Sequence, residues 1–285
     1  MTDDIIEKAR KVANQVGDFP PIPSVILESI KLLNDPSATV KTIQEQILLD
    51  QSLTAFILKV ANSALYGVMK EVTTVSYAIN LMGYNTTKSI LTAYLSKNLY
   101  STRGGKFIQN ILWRHSISTA VLGKTIAEHL TMAAPLTPPT PEEVFIAGLL
   151  HDIGKGVLLK NKTDEFEKII QLIYSDKKTS IQAEQEVLGF THIEVGYLLM
   201  QNWRFSDKII DTLIHHHNIL GYNGNNLMTP VVSLANKSSH RLDYSFDKPE
   251  IELNELPVLH ISEQTLMEIE KEAEEEIKNY LEIFG

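Results

Sequence analysis

Gly148-Leu149-Leu150-His151-Asp152-Ile153-Gly154-Lys155 is the stretch on which the reading of this chain turns. The segment ahead of it, Val144 to Leu150, is apolar, which predicts a buried helix. Gly154 is expected to end that helix. His151 and Asp152 then sit on its last turn and project into the interior. A carboxylate buried alone is costly, so Asp152 demands a partner. Imidazole and carboxylate together suit a hard or borderline divalent cation.

Outward from this stretch the apolar spacing stays helical. Val25, Ile26, Ser29, Leu32 and Leu33 follow the i, i+3/i+4 rule, as do Ile43, Ile47 and Leu48, and then Leu53, Phe56, Ile57 and Val60. Period-two runs of β-branched and aromatic residues are missing, so an all-α fold is expected. Thr140-Pro141-Glu142-Glu143 combines a capping Thr, a Pro at the first helical position and a Glu three residues after the cap. Thr191-His192-Ile193-Glu194 has the same Thr-x-x-Glu form, and Thr42 with Glu45 and Thr179 with Gln182 also match. Stops are expected at Asn34-Asp35-Pro36, at Gly83 and at Gly154. Ser101-Thr102-Arg103-Gly104-Gly105 should separate a helix ending near Tyr100 from one starting near Phe107. It divides the chain into an N-terminal helical subdomain, residues 1–103, and a second, residues 104–285. Ala133 to Pro141, with four prolines, reads as a surface connection. A closing helix from about Glu263 to Phe284 places Leu266, Ile269, Ala273, Ile277 and Phe284 on one stripe.

Composition narrows the chemistry. The 285 residues are 44% hydrophobic, enough for a core without disulfides. Cysteine is absent, which removes thiol nucleophiles and every Cys-based metal site and fits a reducing cytoplasm. The net charge of −9 is concentrated in residues 263–285, leaving the rest close to neutral. Nucleic-acid binding through basic patches is therefore not expected. Met1 to Val16 is too charged for a signal peptide, and no run approaches the ~20 apolar residues needed to cross a bilayer. A cytoplasmic protein without a membrane partner is the expectation.

Nine histidines occur. Those of interest are His115 in Trp113-Arg114-His115-Ser116, His151, His192, and the run His215-His216-His217 that closes the apolar helix Ile209 to Ile214. His192 follows a capping Thr, and a helix N-terminus favours the neutral imidazole that binds metal. Each residue has a plain alternative: a packed or capping histidine, a hydrogen-bonded His–Asp pair, a solvated helix end. Taken together they predict one shared pocket; a metal centre and a purely structural cluster both stay open. Gly123-Lys124-Thr125 mimics the end of a P-loop, but the required first Gly falls at Ser118 inside a helix. Gly104-Gly105-Lys106 reads as a flexible connection. No GxSxG elbow or HExxH zinc helix occurs.

Arg114-His115-Ser116, then His151-Asp152-Ile153-Gly154-Lys155, then Thr191-His192-Ile193-Glu194-Val195-Gly196-Tyr197, then His215-His216-His217-Asn218 resembles, in this order, the HD superfamily of metal-dependent phosphohydrolases, specifically its HD-GYP branch and the related HDOD branch. The N-terminal part is similar to HDOD. Phe19-Pro20-Pro21-Ile22-Pro23-Ser24, Leu33-Asn34-Asp35-Pro36, Leu49-Asp50-Gln51-Ser52-Leu53-Thr54, Ala61-Asn62-Ser63-Ala64-Leu65-Tyr66-Gly67 and Ala78-Ile79-Asn80-Leu81-Met82-Gly83 carry that likeness. It runs from about Phe19 to about Leu242.

The resemblance implies an HD-domain-like helical bundle with an N-terminal helical subdomain. It implies ligand roles for His115, His151, Asp152, His192, His216 and His217 toward a divalent metal (Fe, Mn, Zn, Ni or Mg), with Lys155 near a phosphate. The distal ligand position, an Asp in the HD pattern, is Asn236 here, a neutral and poorer donor. Gly221-Tyr222-Asn223-Gly224 echoes the GYP signature with Asn in place of Pro. Two functions follow as expectations. One is a regulatory module in signal transduction, acting through protein partners or a nucleotide or cyclic-dinucleotide ligand. The other is a metal-dependent phosphohydrolase in which Asp152 and Lys155 are catalytic.

Overall fold

The computed structural model describes residues 3–20, 23–100, 106–130, 138–219, 222, 224–246, 259 and 261–284. Among them are fourteen α-helices, one short 3₁₀ turn and no strand, as the spacing of apolar residues requires. Helix α1 is Asp3–Val16, α2 Ser24–Asn34, α3 Val40–Ile47, α4 Gln51–Ala61, α5 Val75–Tyr100, α6 Lys106–His129 and α7 Pro141–Leu150. Then come α8 Ile153–Asn161, α9 Thr163–Asp176, α10 Ser180–Leu188, α11 His192–Asn202, α12 Asp207–His215, α13 Met228–Arg241 and α14 Glu263–Phe284. The contacts group into two compact units. One is Met1–Pro20 with Leu99–Glu274; the other is Pro21–Asn98 with Glu275–Gly285.

In the unit of Pro21–Asn98 and Glu275–Gly285, α2 packs on α3. The cap of α3 is Thr39, whose hydroxyl accepts the Thr42 N–H while the Thr42 hydroxyl accepts the Thr39 N–H. Thr42 is therefore the third helical residue and not the cap with Glu45. Two hydroxyls close this box, a pairing outside the Ser/Thr-to-Glu/Gln rule. Asp50 caps α4 through the Leu53 N–H at 3.0 Å. Asn62 pins the following loop, donating to Val72 O at 2.8 Å and accepting the Val72 N–H at 2.7 Å. Helix α5 breaks at Gly83, where φ is 77° and ψ 167°, in line with the expected stop. The Phe56 ring packs at a tilt against those of Tyr94 and Phe284, centroids 4.9 Å apart in each pair.

In the other unit α6, α7 and α13 pack mutually, and α11 lies against α1, α8 and α12. Helix α6 meets α7 closely because Gly148 has no side chain: a Cβ there would fall 2.9 Å from Ala120 Cα. The apolar helix from Val144 ends at Leu150, four residues before Gly154. His151 caps it, Asp152 is the cap of the next helix, and Gly154 lies inside the first turn of α8. The expected stop at Gly154 is therefore corrected. Its role is close approach: a Cβ on Gly154 would collide with the carbonyl oxygen of His192 and fall 2.8 Å from Gly196 N. This crossing brings the start of α11 against Asp152. The boxes at Thr140, Thr179 and Thr191 form as expected. On α14, Leu266, Ile269 and Ala273 are buried in this unit, and Ile277 and Phe284 in the other. No described helix is long and apolar enough to cross a membrane. The connection at 101–105 and most of that at 133–141 lie outside the described residues.

Candidate metal centre

Asp152 is the hub. It is buried, and its two oxygens face two sets of side chains. Oδ2 accepts from Lys155 Nζ at 2.7 Å and lies 3.4 Å from His115 Nε2 and 3.5 Å from His151 Nε2. Oδ1 lies 3.1 Å from His192 Nε2 and 3.5 Å from His216 Nε2. Asp152, His192, His216 and His217 each offer a ligand atom within 4.8 Å of the others, and so do His115, His151 and Asp152. Five imidazoles from α6, α11 and the ends of α7 and α12 thus meet around one carboxylate. Asn236 is buried on the face of α13 that also carries Ser233, bonded to His216 O at 2.9 Å, and Ser239, 3.0 Å from His115 Nδ1. His215 stays outside, half-buried beside Asp211 at 3.6 Å.

The surrounding hydrogen bonds decide where the ring protons sit. His151 Nδ1 faces the carbonyl of Gly148 at 2.6 Å and His216 Nδ1 that of Leu213 at 2.7 Å. A carbonyl only accepts, so both rings carry their proton on Nδ1. His192 Nδ1 donates to Glu184 Oε2 at 2.7 Å, which also accepts the His192 backbone N–H at 2.8 Å. For His115 the answer comes through two serines. Ser118 Oγ donates to His115 O at 3.0 Å, so the 2.6 Å contact between Ser118 and Ser239 uses the Ser239 proton. Ser239 Oγ can then only accept from His115 Nδ1. All four Nε2 atoms therefore face Asp152, and each presents a lone pair wherever its ring is neutral. Two of them, on His115 and His151, stand 3.2 Å apart. Two bare nitrogens at that distance repel, and either a proton on one of them or a metal ion relieves the repulsion.

Burial pushes the imidazolium forms of His151 and His217 well down and lowers that of His216, the Asp152 charge opposing this only in part. Burial also works against the Asp152 carboxylate. Lys155 first, then His151, His192 and His115, nevertheless hold its carboxyl well below the usual range. His192 differs. Burial lowers it, but the Glu184 and Asp152 carboxylates prevail and it is pushed up to about 9. The neutral His192 expected from its helix N-terminus is therefore corrected: a full carboxylate at 2.7 Å outweighs the partial charge of a helix end. Glu184 escaped the sequence reading. It lies on α10 eight residues before His192, and nothing in the spacing marks it as facing that ring.

The donor set fits a divalent cation. Asp152 Oδ1, His192 Nε2, His216 Nε2 and Asn236 Oδ1 are buried and make no hydrogen bond. Such orphans are rare in folded proteins, and a cation would satisfy them together. The Nδ1 protons anchored on Gly148 O, Leu213 O, Glu184 and Ser239 form the outer support that metal-binding histidines ordinarily have. Oxygen and imidazole donors without thiolate suit Fe, Mn, Zn or Ni better than soft ions.

The chain is similar to known proteins. An uncharacterised protein of Treponema pallidum is 26% identical over 226 residues, 74% of this chain and 40% of its own length. The chain thus spans well under half of that relative. A solved HDOD domain protein of unknown function from Geobacter sulfurreducens superimposes with a TM-score of 0.77 at 26% identity, covering 99% of this chain and 96% of its own. A Shewanella amazonensis protein provisionally described as a phosphohydrolase has the same fold, with a TM-score of 0.74 at 20% identity over 99% of this chain and 97% of its own. The HDOD domain model matches residues 19–219, which carry helices α2 to α12 and all the pocket residues except those of α13. With the helical fold and the histidine–aspartate pocket in place, that match makes this chain a member of the HDOD domain family.

Proposed function

We propose that the chain is a regulatory module of signal transduction that takes a divalent metal ion in its His/Asp pocket and acts by binding a protein partner or a nucleotide ligand. The observation that carries the reading is the set of four Nε2 atoms directed at Asp152 and held there by the hydrogen bonds at Nδ1. Regulation is favoured over catalysis by access. Asp152 is 1% exposed, Lys155 3% and His192 0%, whereas a hydrolytic centre must admit a phosphoryl oxygen and a water. Lys155 is buried and engaged by Asp152 at 2.7 Å. Asn236 leaves α13 without a carboxylate for the pocket.

A second reading, a phosphohydrolase acting on a cyclic dinucleotide or nucleotide, is supported by the intact set His115, His151, Asp152, His192, His216 and His217. A bound metal would lower the pKa of a water and polarise the phosphoryl oxygen. Asp152 would orient the attacking water, and Lys155 would offset phosphate charge once released from Asp152.

One preparation separates the two. Bound Fe, Mn, Zn, Ni and Mg are measured in the purified chain, and cyclic dinucleotides and nucleotides are then offered with and without added metal. The module predicts bound metal, no turnover, and a melting temperature that falls on chelation. Turnover that disappears in a folded Asp152→Ala variant establishes the hydrolase instead. A metal-free protein indifferent to chelator removes the metal from both readings.

A further inference from the structure

A cavity of about 210 Å³ lies at the starts of α7, α12 and α13 and shares no residue with the His/Asp pocket. Sites for drug-sized ligands run to about 300–1,000 Å³, so this one has the size for a single small metabolite. Pro138 and Pro139 ahead of α7, and Leu227 and Met228 where α13 begins, give it an apolar lining. Its two charged lining residues have opposite sign: Glu143 in the first turn of α7 and Lys208 in the first turn of α12. No ion pair joins them among the described residues.

Both walls are fixed by bonds of their own. Glu143 Oε2 accepts the Thr140 N–H at 3.1 Å and the Thr140 hydroxyl at 2.9 Å, which holds the carboxylate in place through one oxygen. Asn226 ties the other wall. Its Nδ2 donates to Lys208 O at 2.8 Å and to Asp211 Oδ2 at 3.1 Å, and its Oδ1 accepts the Met228 N–H at 3.3 Å. Tyr222 donates to Asp211 Oδ2 at 2.6 Å and accepts the Asn226 N–H at 3.2 Å. Walls set before a ligand arrives lose less affinity to ordering.

A carboxylate alone selects a cation, and an ammonium alone an anion. Both, unpaired in one cavity with apolar lining, suit a zwitterion that carries an apolar tail. A nucleotide fits less well, because Glu143 repels its phosphate and the volume is small for it. We propose that this cavity binds a free α-amino acid with an apolar side chain. The α-ammonium meets Glu143 Oε1 and the α-carboxylate meets Lys208 Nζ. The Asn225 amide, which makes no side-chain hydrogen bond among the described residues, is a second donor to that carboxylate. The tail packs on Leu227, Met228 and the two prolines. The site goes beyond the metal reading of the His/Asp pocket and does not depend on it.

The test is an NMR titration of the isotopically labelled full chain with L-leucine, beside 4-methylpentanoate, which lacks the ammonium, and 3-methylbutylamine, which lacks the carboxylate. Leucine should move the amide signals of Thr140, Glu143 and residues 225–228 saturably, and both analogues should bind more weakly. Lys208→Gln and Glu143→Gln remove one charge each at exposed positions, and Gln at 143 keeps an acceptor for the Thr140 cap. Each variant should weaken leucine binding about fivefold, the effect of one solvent-exposed charge pair. Lys208→Gln should leave 3-methylbutylamine binding unchanged, and Glu143→Gln that of 4-methylpentanoate. Shifts that do not saturate up to the solubility of leucine overturn the proposal. So do saturable shifts that persist at full affinity in both variants, or an analogue that binds as tightly as leucine. Each of these failures leaves the metal centre standing, since chelation and metal analysis test that reading separately.

Discussion

Glu184 acts on the pocket through His192 and determines what that ring presents to Asp152. One oxygen takes both the backbone and ring protons of His192, turning Nε2 inward. Glu184→Ala should therefore weaken Mn(II) or Zn(II) binding by roughly 10–100-fold, the usual cost of losing such an outer support. Glu184→Gln keeps one acceptor and should fall between. Calorimetric titration decides, and wild-type affinity in Glu184→Ala counts against the assignment. Ser239 plays the same part for His115 on the opposite side. Ser239→Ala strands a buried Nδ1–H and should cost about 1–3 kcal/mol in urea unfolding. A neutral result would mean that the ring proton is not where the serine relay puts it.

At the scale of elements, glycines and caps place the ligands. Helices α8 and α11 cross where Gly154 meets the His192 carbonyl. Gly154→Ala must push α11 away from Asp152. The expected loss is about 1–3 kcal/mol, typical of an overpacked core, with weaker metal binding in the same variant. Gly154→Ala with unchanged urea midpoint and affinity would show that the crossing has room to spare. Thr191 begins α11 with its hydroxyl on the Ile193 N–H and with Glu194 accepting the Thr191 N–H at 2.9 Å. Thr191→Ala should cost about 1 kcal/mol, measured the same way, because the cap orients the residue that follows it, His192.

For the whole molecule, metal binding is stability. An ion held at a hundred times its dissociation constant adds about 2.7 kcal/mol to the folded state that binds it. Chelation should lower the melting of the unit containing Leu99–Glu274 by several degrees and leave the transition of the other unit in place. Calorimetric scans with and without chelator read both. Identical scans would contradict the metal centre.

Much of this was legible in the residues themselves. Apolar spacing of three and four made the chain helical, and Thr-x-x-Glu and Thr-x-x-Gln marked the starts of α7, α10 and α11, because capping and periodicity are local. The closing helix Glu263–Phe284 and the importance of His151-Asp152 could be read the same way. Other features depend on what arrives from far along the chain. Gly154 looked like a helix stop because its real constraint is a carbonyl 38 positions later in sequence. His192 looked neutral because the carboxylate beside it comes from another helix. The proton positions on four imidazoles exist only once α6, α7, α8, α10, α11, α12 and α13 have packed. Local spacing specifies helices; the charge and proton balance of a buried pocket is a property of side chains brought together by tertiary contact.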